Sequence, residues 1–105
     1  MTDKLRSYLG FAARSRNLVY GTGAVEASMA KGKVRLIIIA EDTAENTVKK
    51  VASKAEWLEI PCVIFGDSDE LSKATGAPGR NVFAILDDNF AKVITEQIRM
   101  AGYDI

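Results

Sequence analysis

The sequence feature that most constrains the fold is the stretch from Tyr20 to Asp42, which reads YGTGAVEASMAKGKVRLIIIAED. It joins a Gly-x-Gly turn to a segment of helical length that stops at Gly32, a residue type common just past a helix end. Leu36 to Ala40 contains no polar residue, as is typical of a strand covered on both faces. The stretch therefore predicts a β-turn-α-β unit. The free N–H groups of the helix start near Gly23 should lie at a sheet edge where α/β proteins bind ligands.

Helical and strand patterns alternate along the rest of the chain. Apolar residues three and four apart give the first and third helices one buried face each, and Asp42 or Thr43 is placed to cap the third helix. A shorter helix should run from about Glu70 to Thr75, and the acidic and amide residues at 87–89 introduce a last helix. The predicted strands are 18–20, 36–40, 62–65 and 82–86.

This alternation predicts an α/β fold, a three-layer α/β/α sandwich around a small four-stranded sheet. At 105 residues the chain has the length of one domain, 1–105, which would bury roughly two-thirds of the surface of its unfolded chain. It contains no apolar run of about 18 residues, and the N-terminus MTDKLRSYLGF lacks the layout of a secretion signal. A cytoplasmic protein with no membrane partner is the expectation.

Charge is balanced over the whole chain but divided along it. Residues 1–35 carry seven basic side chains against two acidic ones, a net charge of +5, so the other 70 residues carry −5. The basic residues are Lys4, Arg6, Arg14, Arg16, Lys31, Lys33 and Arg35. This asymmetry favours a polyanionic partner at one face of the protein. Ordinary solvated charges scattered around the fold are the alternative interpretation.

The sequence offers few groups for catalysis or metal binding. It has no histidine, the commonest general base and metal ligand, and its single cysteine, Cys62, lies in an apolar string that predicts a buried, inert thiol. Paired acids at Glu41-Asp42 and Asp87-Asp88 could bind Mg²⁺, but capping of the following helices is the simpler interpretation. We therefore expect no catalytic residues, no metal, no cofactor and no enzymatic activity.

Two aromatic side chains and a lysine pair lie on predicted helices. Trp57 and Phe90 fall on or beside apolar stripes, which predicts core positions for both rather than stacking platforms. Lys49 and Lys50 are typical of a solvated helix face. None of these residues is predicted to form part of a site.

The Gly21 to Gly23 turn is the strongest candidate for a binding site. It could be part of a dinucleotide fingerprint, but the third glycine required there is Glu26, whose carboxylate would repel a pyrophosphate. A turn without side-chain bulk, followed by a helix N-terminus, offers N–H donors with partial positive charge. Arg16, Lys31 and the loop around Arg80 are expected to add phosphate contacts. Such a surface suits a nucleic-acid backbone.

Five segments of the chain also carry a likeness to a known family. They read LGFAARSRNLVYG at 9–21, KGKVRLIIIAEDTAENTVKK at 31–50, IPC at 60–62, LSKATG at 71–76 and AILDDNFAKVI at 84–94. Through them the sequence resembles the L-seven-Ae/L-thirty-e family of kink-turn RNA-binding ribosomal proteins, and most closely its bacterial YlxQ-type branch. The resemblance implies an α/β/α sandwich with a small mixed sheet and a ribonucleoprotein function.

In that family the second helix's N-terminus enters the widened major groove of a sharply bent RNA, and a loop before the last strand packs on a nucleotide flipped out at the bend. The resemblance thus implies structured RNA, ribosomal RNA included, as the partner of this chain, and no DNA. The implied contact residues are Gly21, Thr22, Gly23, Ala24 and Ala27 on the turn and helix and Ala77, Pro78, Gly79 and Arg80 in the loop. Arg16, Lys31 and Asp42 complete the candidate set.

The chain departs from the strong RNA binders of that family at the base-reading positions. Where they show Gly-Ala-Asn-Glu-x-x-Lys, residues 21–27 read GTGAVEA, without the amide, carboxylate or ammonium group at the matching positions. Each lost base contact costs about 1–3 kcal/mol if the geometry is kept. Asp67-Ser68 also replaces the Ser-Lys usual before the fourth helix. Two interpretations stay open: weaker recognition of bent RNA, and a protein-interaction module on the same fold that has lost specific RNA recognition.

Overall fold

Five helices and four strands alternate along the chain in a computed structural model that describes all residues from Met1 to Ile105. The helices are α1 (Asp3–Arg14), α2 (Thr22–Ala30), α3 (Glu45–Trp57), α4 (Ser68–Thr75) and α5 (Asp88–Met100). The strands are β1 (Leu18–Tyr20), β2 (Leu36–Ile39), β3 (Cys62–Ile64) and β4 (Val82–Ile85). The predicted order of elements is confirmed. None of the helices combines the length and the apolar character that crossing a membrane requires.

The four strands form one mixed sheet in the order β1-β4-β2-β3. Strand β4 is antiparallel to both β1 and β2, and β3 is parallel to β2 at the edge. The register pairs Tyr20 with Phe83 and Ile39 with Val82, so β1 and β2 finish where β4 begins. We call this end of the sheet the α2 end, because α2 starts directly after β1. The other end, where Leu18 pairs with Ile85, is the opposite end.

The sheet separates two apolar cores, which makes the fold the predicted α/β/α sandwich. Helices α1, α4 and α5 cover one face over a cluster of 16 buried residues, and α2 and α3 cover the other over a cluster of nine. Successive side chains of a strand point to opposite faces. Leu36 and Ile38 accordingly enter the larger core and Ile37 and Ile39 the smaller one. This double burial explains why β2 has no polar residue.

Helix caps agree with the sequence at some helices and differ at α3. The sequence offers Thr2 or Asp3 as the cap of α1 and the residues at 87–89 as the cap of α5. In the structure Thr2 and Asp87 are the caps, each through a side-chain oxygen that accepts a backbone N–H. At α3, however, the cap position is Ala44, without a side-chain hydrogen bond, so the prediction of Asp42 or Thr43 was wrong. The physical reason is that both side chains have other partners. Asp42 accepts hydrogen bonds from Ser68, and the buried Thr43 hydroxyl donates to the Asn81 carbonyl.

The placement of Trp57 in the core was also wrong. Its side chain is 86 % exposed, whereas Phe90 is half-buried against the larger core as predicted. Helix α3 buries Val51 and Ala55. Because successive residues of an α-helix are rotated by about 100°, a residue two positions after Ala55 lies on the far side of the helix from the core. Leu58, which follows the helix, is likewise exposed.

Candidate nucleic-acid interface

Helix α2 begins at a glycine turn that leaves its first N–H groups free. Gly21 is the N-cap, with φ +89°, a backbone conformation that residues with a Cβ rarely adopt. Its N–H donates to the Val82 carbonyl at 2.9 Å, which fastens the turn to β4. The first helical hydrogen bond runs from the Val25 N–H to the Gly21 carbonyl at 3.0 Å. The N–H groups of residues 22–24 therefore have no partner within the helix.

No side chain of the chain occupies these donors. Gly21 provides no capping side chain, and the first turn of α2 contains no acidic residue. The partial positive charge of a helix N-terminus is thus uncompensated, an arrangement that favours a phosphate or carboxylate group.

The outer face of α2 carries almost no side-chain bulk. Gly23, Ala24 and Ala27 are exposed, whereas Val25 and Met29 enter the core. A Cβ added at Gly23 would meet nothing within 4 Å. A ligand can therefore approach the backbone of the first turn of the helix directly.

The second predicted region, residues 77–80, lies next to this turn. The Arg80 guanidinium stands 5.6 Å from the centre of the Tyr20 ring, a cation–π arrangement. A Cβ built on Gly21 would lie 3.5 Å from Arg80 Nη1. The contact arises because β1 and β4 are neighbours, which brings the residues after β1 beside those before β4. The structure thus brings together the two regions that the sequence analysis nominated separately.

Helix α4 holds the loop in place. The Ser72 hydroxyl donates to the Arg80 carbonyl at 3.0 Å and accepts the Arg80 N–H at 3.3 Å, while the Ala77 N–H donates to the Ser72 carbonyl at 3.0 Å. Ala77 is buried and contributes packing, whereas Pro78 and Gly79 are exposed at the tip. Of the four loop residues, the three at 78–80 face solvent.

Asp42 lies at the α2 end, but its carboxylate has a structural role. It accepts the Ser68 N–H at 2.8 Å and also the Ser68 hydroxyl. The hydrogen bond from the hydroxyl, followed by the one from the backbone, lowers the pKa of Asp42 below its ordinary range. The carboxylate therefore fastens the start of α4 to the loop after β2.

Arg16 and Lys31 do not join the other candidate residues. Arg16 precedes β1 at the opposite end of the sheet, where the Asn17 carbonyl accepts the Leu86 N–H at 2.8 Å. Lys31 is the C-cap of α2, and a helix of nine residues is about 14 Å long. Both cations are exposed, but they lie at the far end of the molecule from the first turn of α2.

Two groups of residues near the site were missed by the sequence analysis. Tyr20 supplies the ring under Arg80, and its signal was an aromatic residue directly before the glycine turn. On the α3 side, Glu26 forms ion pairs with Lys50, at 3.3 Å, and Lys54. The hydrogen bond from Lys54 is the largest cause of a lowered pKa of Glu26. No sequence signal links Glu26 to the two lysines, because they lie on different helices.

The single thiol and the carboxylates are the other groups of the chain that the sequence analysis considered for reactive or metal-binding chemistry. Burial raises the pKa of the Cys62 thiol to about 11, so the thiol is protonated at neutral pH. Its side chain is half-buried, whereas the sequence predicted a buried one. Nowhere in the chain do three or more histidine, cysteine, aspartate or glutamate side chains come together as metal ligands could.

The protein is thus a small α/β/α sandwich in which the N-terminus of α2, with free N–H donors and no side-chain cap, lies beside the loop that carries Arg80. The chain belongs to the ribosomal protein L7Ae/L30e/S12e/Gadd45 family, whose model matches residues 3–95. The family membership expected from the sequence is thereby confirmed.

Individual relatives agree with this assignment. The chain is 35% identical over 96 residues to the RNA-binding protein YlxQ of Enterococcus faecium, a match that covers 91% of this chain and 92% of that protein. It is 31% identical over 83 residues to the RNA-binding protein YlxQ of Bacillus subtilis (strain 168), covering 79% and 83% of the two chains.

Solved structures show the same fold. A protein with unknown function from Bacillus halodurans C superposes with a TM-score of 0.88 at 32% identity, covering 93% of this chain and 99% of the other. A Giardia lamblia 15.5kD RNA binding protein has a TM-score of 0.76 at 20% identity, covering 95% and 89%. The second likeness concerns the fold alone.

Proposed function

We propose that residues 1–105 act as one non-catalytic, cytoplasmic RNA-binding domain that recognises a kink-turn or similarly bent structured RNA. The observation that carries the proposal is the meeting of two groups at the α2 end: the free N–H donors of residues 22–24 and the Arg80 guanidinium. The two relatives named RNA-binding protein YlxQ support the choice of RNA as the ligand.

The mode of recognition follows from the groups available. Backbone N–H donors and a guanidinium bind phosphate oxygens, which position an RNA but carry no sequence information directly. The outer face of the helix start has no amide, carboxylate or ammonium side chain to read base edges. Binding should therefore depend on RNA shape, because a bent duplex can present several phosphates to the first turn of α2 at once.

The exposed tip of the loop fits the same ligand. Pro78 and Gly79 form a small surface beside Arg80, against which a base unstacked at the bend can pack. Straight duplex RNA has no such base. The loop therefore adds a second reason for preferring a bent RNA over a straight one.

The proposal is tested by titrating the protein with a kink-turn RNA and with a straight duplex of equal length at two salt concentrations. Preference for the bent RNA at both concentrations is the expected result, with affinity falling as salt rises. Equal affinity for the two RNAs would show a general basic surface that does not recognise RNA shape. Absence of binding even at low salt would favour the protein-interaction module, since the missing base-reading side chains also suit that role.

A further inference from the structure

We propose that Lys50, Lys54 and Trp57 of α3 form a second contact surface for the RNA, with the two ammonium groups on phosphates and the indole stacked on an unpaired base. This surface, the α3 row, extends the site at the start of α2. The inference rests on the RNA-binding function proposed above. It adds to the ligand a single strand that leaves the bent RNA, which a kink alone does not require.

The three side chains lie on one face of α3. Residues four and three apart share a helix face, and the spacing from 50 to 54 to 57 follows this rule. The Trp57 side chain is 86 % exposed, so the chain itself covers almost none of the indole. Exposed indoles of this kind suit base stacking, which is independent of sequence because every base has a π-face.

Glu26 places the row beside α2. Its carboxylate pairs with Lys50 Nζ at 3.3 Å and with Lys54 Nζ, and its own side chain is only 17% exposed. Both ammonium groups are therefore held against α2 about one turn after its free N–H groups. Two lysines against one glutamate leave a net positive charge there, and the lysine side chains remain more than half exposed to solvent.

The outer face of α2 leaves the path from the helix start to the row open. The exposed residues along it are Gly23, Ala24, Ala27 and Ala30, so no side chain longer than a methyl group projects from this face. A strand of RNA whose phosphate sits on the first turn can thus continue along α2 with its backbone close to the lysines.

The charges near the end of α3 favour a base over a phosphate as the group that contacts Trp57. Glu56 and Glu59 are both exposed and flank the tryptophan in the chain. Their carboxylates disfavour a phosphate beside the indole, whereas the face of a base is neutral. The row therefore presents cations first and an aromatic surface last, an order that fits a single strand leaving the bent RNA.

Fluorescence tests the aromatic end directly, because Trp57 is the only tryptophan of the chain. The full-length protein is titrated with a kink-turn RNA with blunt stems and with two versions that carry a single-stranded extension on one strand or the other. We expect quenching of the tryptophan emission by one extended RNA and tighter binding of that RNA. Trp57→Ala should weaken its binding by about fivefold or more, with the blunt RNA unaffected. Met100→Ala, which removes another exposed apolar side chain, is the matched control.

Charge variants test the lysines and separate contact from structural support. Lys50→Ala/Lys54→Ala should weaken binding and lower the salt slope by about 1.4 for two single-strand phosphates. Lys4→Ala/Lys92→Ala removes the same charge from exposed lysines on α1 and α5 and should leave affinity within about twofold. Glu26→Gln releases the lysines and should tighten binding. If the network only fastened α2 to α3, Glu26→Gln would weaken binding as the lysine variant does.

Three results would overturn the inference. In the first, RNA binds without any change of Trp57 emission and with equal affinity for the Lys50/Lys54 and Lys4/Lys92 double variants. That result would refute the α3 row and leave the proposed RNA site at the start of α2 standing. Failure of every RNA to bind would overturn both proposals together. A change of Trp57 emission with protein concentration alone, accompanied by dimers in sedimentation, would assign this face to a second copy of the chain instead.

Discussion

At the residue scale, Arg80 is the side chain that brings the loop before β4 against the turn before α2. The Tyr20 ring lies under its guanidinium, and Nη1 lies close to Gly21, 3.5 Å from where a Cβ of that residue would stand. The cation therefore lies beside the turn that precedes the free N–H groups before any ligand arrives. A cation placed in advance loses less conformational entropy on binding than a freely rotating one.

Removing the positive charge of Arg80 should weaken the binding of bent RNAs of any sequence by a similar factor. For Arg80→Gln we expect a loss of about fivefold to tenfold in affinity for bent RNA and a salt slope lower by about one, as for one phosphate contact. Arg16→Gln removes the same charge at the opposite end of the sheet and should change affinity by less than about twofold. Equal losses in the two variants, measured by titration at several salt concentrations, would show a long-range charge effect and no contact at Arg80.

Asp42 gives the stability of the protein a defined pH dependence. The Ser68 hydroxyl and N–H lower the pKa of this carboxyl in the folded state from its ordinary value of 3.8. Because the folded-state pKa is depressed, the stabilisation is present at neutral pH and is lost as the pH falls below that ordinary value, through the folded-state pKa. Asp42→Asn should therefore reduce the decline of the melting temperature between about pH 5 and pH 3. The control is Asp104→Asn, near the C-terminus, which removes the same charge from a side chain without a hydrogen bond. If that variant reduced the decline of the melting temperature equally, the role of Ser68 would be contradicted.

At the scale of elements, helix α4 acts on the site through Ser72, whose hydroxyl is bonded to the backbone of Arg80. Ser72→Ala leaves the Arg80 carbonyl without this partner in a part-buried position. We expect the free energy of unfolding in urea to fall by about 1–2 kcal/mol and RNA affinity to fall with it, because the loop loses its fixed position. Ser53→Ala, an exposed serine of α3, is the control. A stability loss with unchanged affinity would show that the loop makes no contribution to binding.

Periodicity predicted the elements well but not how they meet. Strand β2 was recognisable because both of its faces are buried, and α2 because a glycine turn precedes it and Gly32 follows it. The meeting of Gly21 with Arg80 depends on β4 lying between β1 and β2, a strand order that no local pattern encodes. The α3 cap was misassigned for the same reason, since the partner of Asp42 is Ser68 on another helix.

Trp57 illustrates a further limit of sequence patterns. An aromatic residue near an apolar stripe is usually buried, but the helix rotation between Ala55 and Trp57 turns the indole to solvent. Hydrophobicity alone gave the wrong answer there. The angle around the helix, counted from the residues that reach the core, predicts the exposure correctly.

At the scale of the whole molecule, the two ends of the sheet present different groups, with the proposed RNA site at the α2 end. The excess of basic residues in the first 35 positions does not gather at the start of α2, because Arg16, Lys31 and Arg35 lie around the opposite end. Arg35 also pairs with Asp88 at 3.0 Å. The asymmetry of charge along the chain therefore does not coincide with the proposed RNA surface.

The salt dependence of binding measures how many cations take part. If Arg80, Lys50 and Lys54 contact phosphates, the slope of log affinity against log salt should be about −2 to −3. A surface that used all seven basic side chains of residues 1–35 would give about −5 to −6. A titration series with the bent RNA distinguishes the two, and the steeper slope would contradict the placement of the site at the α2 end.

The most direct test of the central claim, that RNA binds at the start of α2, is the affinity of Gly23→Asp for bent RNA measured together with its melting temperature. An aspartate in the first turn favours the helix through propensity and dipole by about 0.5–1 kcal/mol, so the melting temperature should hold or rise. RNA affinity should nevertheless fall by about tenfold or more, because the carboxylate competes for the N–H donors and repels phosphate. Asn89→Asp makes the same charge change at the equivalent position of α5, at the opposite end of the sheet, and should bind RNA normally. Unchanged affinity of Gly23→Asp would contradict the account and place the RNA surface elsewhere on the molecule.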